Sequence, residues 1–299
     1  DVNGDSQPDL VIAGEWMPLT FLHNRNGQFE NITSTTGIVH ATGWWNSIAS
    51  GDFDNDRDMD YIAGNLGENS YYRASVEHPV RLYAKDFDNN EGFDAIATMY
   101  LQDVDGIKKE FTAHGRDEIV EQLPGVKKKF LTYKTFGRAG INELFPEAER
   151  KDALVLSAGN FKSCLVKNDG QGKFSLHPLP PQAQLAPLNG MVVDDLNHDG
   201  NLDITIAGND YGNEVTNGRY DAMNGLLLLG DGAGNFEAQS ILESGLYIPG
   251  DAKAMVKLKM SDNSYLLAAS QNQGPLKVFR KKSPQKIVAI PGDSRYAII

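Results

Sequence analysis

Four times in 299 residues the chain sets oxygen-bearing side chains on alternate positions of a nine-residue loop and continues from the loop into an apolar segment. The copies are DVNGDSQPD, DFDNDRDMD, DFDNNEGFD and DLNHDGNLD. Loop positions 1, 3, 5 and 9 hold Asp1, Asn3, Asp5 and Asp9; Asp52, Asp54, Asp56 and Asp60; Asp86, Asp88, Asn90 and Asp94; and Asp195, Asn197, Asp199 and Asp203. Carboxylates this close repel one another unless a positive charge sits between them. Hard oxygen donors on alternate residues, around a residue that allows a sharp turn, are a calcium donor set. The flanks fix the structural setting. NGMVVDD before Asp195 and DITIAGND after it are rich in β-branched residues and punctuated by Gly and Asn, so the loop joins strands and not helices.

The segments after the loops have counterparts along the chain as well. DLVIAGEW at Asp9, DYIAGN at Asp60, ALVLSAGN at Ala153, DITIAGND at Asp203 and YLLAASQN at Tyr265 are apolar strands closed by small residues and a polar turn. NRNGQF at Asn24, NDGQGKF at Asn168 and GDGAGNF at Gly230 are hairpin turns ending on an aromatic residue. The strand starts lie about 35 to 60 residues apart, bracketing the period of a propeller blade. The predicted fold is therefore an all-β propeller over residues 1–299, with about five or six blades. Before Ala153 and Tyr265 the acidic loop is lost, to PEAERKD and KMSDNS. Residues 115–151 break the strand pattern. Ile119, Leu123, Phe130, Leu131, Phe136, Ile141, Leu144 and Phe145 recur at roughly helical spacing, predicting two or three short helices inserted between blades. The chain opens inside a motif and ends on KIVAIPGDSRYAII, another strand-like run, as expected of a piece of a longer protein.

Composition narrows the function. The formal net charge of −12 argues against a nucleic-acid partner, which needs a basic face. The KKK run at Lys127 to Lys129 is too short to alter this and fits a helix surface. Four divalent ions in the loops would bring −12 to about −4, an ordinary surface value. The alternative is that the loops are solvated turns, because Asp, Asn and Gly favour turns on their own. No apolar run approaches the ~18 residues needed to span a membrane. Cys164 has no partner for a disulfide and fits a buried core thiol.

The unit of apolar strand, DxNxDGxxD, LxxAG and N-x-G-x-G-x-F resembles the FG-GAP or VCBS repeat found in the integrin α-subunit head. GEWMPLTF, GWWNSI, LYAKDFDNN and GRYDA are similar to the cartilage acidic protein and ASPIC/UnbV-associated group. The resemblance implies four-stranded blades with calcium in hairpin loops, a secreted or cell-surface location (periplasmic or outer-membrane-associated in bacteria) and binding, as in cell adhesion, rather than catalysis. The sequence departs from that pattern at loop position 6. Only Gly200 is a glycine there; Ser6, Arg57 and Glu91 take its place, and a sharp turn is harder for them. Arg57 also brings a positive charge, and Asn90 lowers the ligand charge of its loop. Expected calcium occupancy therefore runs from the loop at 195, through those at 52 and 86, to that at 1.

Trp16, Trp44 and Trp45 beside polar turns, with Tyr71 and Tyr72, are candidates for a carbohydrate platform; the alternative is packing between blades. The six histidines form no zinc pattern, and no nucleophile elbow, Walker or dinucleotide motif is present. Asp103 and Asp105 read as a hairpin turn with a weak metal alternative. Three functions remain: a calcium-stabilised binding module for a glycan or protein, a propeller enzyme acting on polysaccharide, and a scaffold for a neighbouring domain. A pocket with two facing carboxylates would favour the enzyme, and an aromatic or polar rim without such a pair would favour binding.

Overall fold

A computed structural model describes residues 1–260, 264–283 and 286–290. Part of the KMSDNS turn, 261–263, and the end of the last predicted strand, 291–299, lie outside the described residues. The chain divides into two compact units, one of residues 1–39, 44–71 and 161–299, the other of 40–43 and 72–160.

The first unit opens with β1 (Leu10–Ile12), β2 (Glu15–Pro18), β3 (Thr20–Arg25) and β4 (Gln28–Asn31); β1, β3 and β4 form an antiparallel sheet in that order. After β5 (Thr42–Trp44) come β6 (Ser47–Gly51) and β7 (Asp60–Gly64). The chain then leaves this sheet to build the second unit and returns a hundred residues later, on the order of one small domain. The second unit holds β8 (Val80–Lys85), β9 (Asp94–Gln102) and β10 (Lys108–Thr112). Five short helices come next: α1 (Arg116–Gln122), α2 (Gly125–Lys129), α3 (Tyr133–Phe136), α4 (Ile141–Leu144) and α5 (Glu147–Arg150). The unit ends with β11 (Leu154–Ala158), in a sheet of order β10-β9-β8-β11.

Back in the first unit, β12 (Cys164–Asn168) pairs with β7, and β13 (Phe174–Pro178) with β12, completing the sheet β13-β12-β7-β6. Two further four-stranded meanders complete the chain: β14 (Leu188–Asp194), β15 (Asp203–Gly208), β16 (Leu226–Gly230) and β17 (Phe236–Gln239); then, after α6 (Ile241–Ser244), β18 (Ala252–Lys259), β19 (Tyr265–Gln271), β20 (Lys277–Ser283) and β21 (Lys286–Ile290). Their pairings are antiparallel. The mostly β architecture of repeated antiparallel sheets agrees with the all-β reading.

Two details differ from the sequence reading. ALVLSAGN does not begin a fresh sheet: β11 pairs with β8 at the edge of the second unit's own sheet. The helical stretch lies between β10 and β11, two strands of one sheet, and not between sheets. Its apolar spacing is explained by packing. Ile119, Leu123, Val126, Phe136, Ile141, Leu144 and Phe145 bury against Tyr83 and Ile96 of the strands. Five helices form instead of two or three because the segment is cut by Pro124, Gly137, Gly140 and Pro146.

The second strands of the sheets carry the core of the first unit. Every residue of DYIAG in β7 and DITIAG in β15 is buried, so these runs are mostly apolar and do not alternate. Ile62, Leu165, Leu188, Ile204, Ile206 and Leu228 form one cluster across the two sheets. Ala207, Leu246, Ile248, Leu267 and Phe279 form the next. First strands of successive sheets approach closely. Ser47 Oγ donates to Leu188 O at 2.6 Å, and a Cβ on Gly190 would lie 2.5 Å from the Met255 amide nitrogen. Gly190→Ala is therefore expected to destabilise the protein by about 1–3 kcal/mol in urea unfolding, since strands must separate to admit the methyl group. Gly125→Ala, at an open position with an ordinary φ, is expected to change stability by no more than about 0.5 kcal/mol.

Candidate metal centres and an aromatic cavity

The four acidic loops share one backbone. Position 4 is left-handed in each, at Gly4 (φ 77°), Asn55 (φ 59°), Asn89 (φ 58°) and His198 (φ 63°). Position 6 is left-handed as well, at Ser6 (φ 67°), Arg57 (φ 75°), Glu91 (φ 69°) and Gly200 (φ 91°). The non-glycine residues adopt the turn that was expected to resist them. The reason is visible in the hydrogen bonds: the carboxylate at position 1 takes the position-6 N–H in every loop. Asp1 accepts from Ser6 N at 2.7 Å, Asp52 from Arg57 N at 3.0 Å, Asp86 from Glu91 N at 2.9 Å and Asp195 from Gly200 N at 3.1 Å. These bonds offset the left-handed strain, which Asn tolerates better than most residues.

Position 9 has a second task. Its carboxylate accepts the N–H of position 2: Val2 to Asp9 at 2.7 Å, Phe53 to Asp60 at 3.1 Å, Phe87 to Asp94 at 2.9 Å and Leu196 to Asp203 at 2.8 Å. In three loops the other oxygen accepts an N–H from the strand beyond. Asn24 N reaches Asp9 at 2.8 Å, Asn168 N reaches Asp60 at 2.8 Å and Gly230 N reaches Asp203 at 3.0 Å. Asp60 and Asp203 are fully buried and Asp94 nearly so. Burial pushes the Asp60 carboxyl up to about 6, with the Asp54 and Asp56 charges adding to the rise and the Asn168 and Phe53 amides opposing it. Burial raises Asp94 and Asp203 too.

The structure brings Asp52, Asp54 and Asp60 together, with one oxygen from each within 4.8 Å of the others, and does the same for Asp86, Asp88 and Asp94. Asp56 and Asn90, at position 5, each accept a backbone amide, of Asp58 at 2.8 Å and Gly92 at 2.7 Å. In the loops at 1 and 195 position 3 is an amide, held beside position 5: Asn3 Nδ2 lies 3.3 Å from Asp5 and Asn197 Nδ2 2.8 Å from Asp199. Three-carboxylate clusters thus fall in the loops at 52 and 86. The left-handed turn for which the sequence ranking favoured 195 occurs in all four loops, and the loops at 52 and 86 differ from the other two in carrying a carboxylate at position 3.

Does the loop at 52 fit a cation? Asp52 Oδ1 is buried and accepts no hydrogen bond among the described residues. An ionised oxygen without a donor is expensive in the interior, and a hard divalent ion would satisfy it together with Asp54 and Asp60. One positive charge is already present: Lys167 Nζ lies 2.5 Å from Asp54. Burial raises the Asp54 carboxyl, but the Lys167 hydrogen bond and charge outweigh it and the net shift is downward. In the loop at 1, His23 plays a similar part, 2.9 Å from Asp5, and its hydrogen bond is the main cause of that carboxyl's downward shift. His198 is exposed and lies 2.9 Å from Lys281. Neither Lys167 nor His23 was read as part of a loop from the sequence, because each comes from a different strand.

The other candidates separate. Trp16 and Trp44 meet edge to face, with centroids 4.9 Å apart, and line a cavity of about 390 Å³ with Asn46, Asn189, Asp210 and Lys253. Trp45 is 2 % exposed and packs in the core, as the alternative to a platform foresaw. Tyr71 is exposed and, like Tyr72, is not among the residues lining that cavity. Asp103 caps a hairpin turn, accepting from Asp105 N and Ile107 N, each at 2.9 Å, and pairs with Lys109 at 2.6 Å. Cys164 is buried.

Residues 1–63 match the model of the family described as FG-GAP-like repeat. No curated protein matches the chain. The match spans the loops at 1 and 52 and supports an FG-GAP repeat protein; the loops at 86 and 195, beyond it, have the same backbone and the same two carboxylate ties. No helix among the described residues is long and apolar enough to cross a membrane.

The raised carboxyls have a testable consequence. Asp60 binds its proton more tightly folded (about 6) than unfolded (3.8), so the folded state gains stability as pH falls through 6 and loses it as pH rises. In EDTA the protein is expected to be more stable at pH 5 than at pH 7.5 by roughly 1.4 kcal/mol from this group, and to melt correspondingly higher. With calcium the order should reverse, because the ion needs the ionised form. A melting temperature independent of pH in EDTA would contradict the assignment.

Proposed function

We propose that this chain is a calcium-stabilised, propeller-type FG-GAP repeat module that works outside the cell as a binding or adhesion element and not as an enzyme. The observation that carries the calcium reading is the donor-less buried oxygen of Asp52 inside a three-carboxylate cluster. The recurrence of that loop backbone four times supports it. Extracellular calcium, near millimolar, suits loops of few and partly amide ligands. Within the FG-GAP class, the GEWMPLTF and GWWNSI segments favour the ASPIC/UnbV-associated group.

The ions would act structurally. Each would bind carboxylates from both ends of one loop and so fix the strand that the position-9 residue begins. A binding role is favoured over polysaccharide cleavage by the cavity beside Trp16. Two carboxylates line it, Glu15 and Asp210, but Asp210 is engaged by Lys253 at 3.0 Å and by the Gly212 amide at 3.1 Å, which makes it a positioned polar group and not a free acid or base.

Thermal unfolding with calcium and with EDTA, beside a metal count by mass spectrometry, tests the reading. Bound calcium is expected at two or more ions per chain, on the order of the loops with three carboxylates, and melting should fall on chelation. Asp52→Ala should remove one ion and most of the calcium-dependent gain of its loop. An unchanged melting curve with no calcium found would reduce the loops to turns.

A further inference from the structure

We propose that the cavity beside Trp16 and Trp44 is a binding site for a neutral saccharide, which stacks a pyranose face on the indoles and presents neighbouring hydroxyls to Asp210 and Lys253. This deepens the binding-module reading and rests on it. The cavity, about 390 Å³, is within the usual range for small-molecule sites. It lies where first strands begin. Asn46 precedes β6, Asn189 sits at the start of β14, Lys253 at the start of β18, and Asp210 comes after β15. The loops at 52 and 195 join the far ends of β6 and β14, so the cavity and these acidic loops occupy opposite ends of the same strands.

Three observations point to a ligand. Trp16 holds φ at 61°, a left-handed conformation that a bulky side chain rarely adopts. Strain of this kind persists where surrounding structure enforces it, and it concentrates at ligand sites. Trp44 is fixed from two sides, by Trp16 at 4.9 Å and by Phe161 at 4.9 Å, so the aromatic wall is preorganised. The polar wall is preorganised as well. Lys253 Nζ lies 3.0 Å from Asp210 Oδ1 and 2.7 Å from Asp251 Oδ1, and Asp251 is 1 % exposed.

The lining selects the chemistry. The third ammonium proton of Lys253 has only the Asn209 carbonyl, at 3.5 Å. Asp210 Oδ2 accepts no hydrogen bond among the described residues. A donor and an acceptor therefore sit side by side. A hydroxyl pair satisfies both, since one hydroxyl accepts from the ammonium while its neighbour donates to the carboxylate. Asn189 spends its Nδ2 on the Asn209 and Ala252 carbonyls, at 2.8 and 2.9 Å, and keeps its Oδ1 as a further acceptor. An anionic ligand would meet Glu15 and Asp210 unfavourably, and a cationic one would meet the Lys253 ammonium. A neutral polyhydroxyl ring with an apolar face meets neither penalty.

The test uses the full calcium-loaded chain. The probes are methyl α-glucopyranoside, methyl α-mannopyranoside and methyl β-galactopyranoside at millimolar concentration, read by saturation-transfer NMR and by tryptophan fluorescence. N-acetylneuraminic acid and choline serve as anionic and cationic comparators. Saturable binding of at least one neutral glycoside is expected, weakened by about tenfold or more in Trp44→Ala and in the near-isosteric Asp210→Asn. An unchanged melting temperature in Asp210→Asn separates lost contacts from lost folding. Absence of saturable binding to any neutral glycoside overturns the proposal. So does binding that both variants leave intact, or binding of choline or the sialic acid that depends on these residues. Calcium loading without glycoside binding would sink the saccharide site alone; glycoside binding without calcium would sink the metal reading alone.

Discussion

The buried carboxylate that opens β7, β9 and β15 is the interaction on which the rest depends. Asp60 and Asp203 each accept one N–H from their own loop and one from the strand beyond, so a single side chain closes the loop and ties it into the sheet. An ionised group can stay in the interior only if its hydrogen bonds and countercharges outweigh its lost hydration. Two backbone amides supply part of that. A cation shared with Asp52 and Asp54 would supply the rest, and the lifted Asp60 carboxyl shows how far the amides alone fall short. The acidic loop and the sheet are thus one device: the position that a metal would bind is also the position that sets where the strand begins.

The same tie explains how one sheet tolerates a long detour. Between β7 and β12 the chain builds a complete unit with its own helices and core, yet Asp60 still meets the Asn168 amide at 2.8 Å. At the other end of β7, buried Asn65 receives the Leu66 amide and the Trp44 amide on its Oδ1. Asn209, at the matching place after β15, donates to the Met223 and Gly250 carbonyls and accepts from Met223 N. β7 and β15 are therefore each fastened at both ends by buried, hydrogen-bonded polar side chains, which rigidifies the strand ends. That rigidity reaches the cavity, because Trp44, held by Asn65, and Asp210, which follows Asn209, both line it.

Much of this was legible in the sequence. The loop spacing, the strand flanks, the N-x-G hairpins and the helical character of residues 115–151 each arise from local chemistry and appear at those residues, although the helices lie within one sheet's connections and not between sheets. The failures share a cause. ALVLSAGN reads like the other post-loop strands, but its partner is β8, and strand partners are chosen across the fold. Ser6, Arg57 and Glu91 looked unsuited to a left-handed turn, yet the position-1 carboxylate accepts their amides and holds them there. The three tryptophans look alike in sequence, while packing buries Trp45 and leaves Trp16 and Trp44 at a cavity.

The sequence by itself determined the class of structure: short β strands joined by carboxylate-rich loops, because alternating oxygen donors and apolar runs act over a few residues. Tertiary structure decided which carboxylates converge, that Lys167 and His23 would reach into loops from other strands, and that Lys253 would stand between Asp210 and Asp251. Those outcomes depend on distances between residues far apart in the chain, which strand pairing and sheet packing set and local sequence chemistry does not.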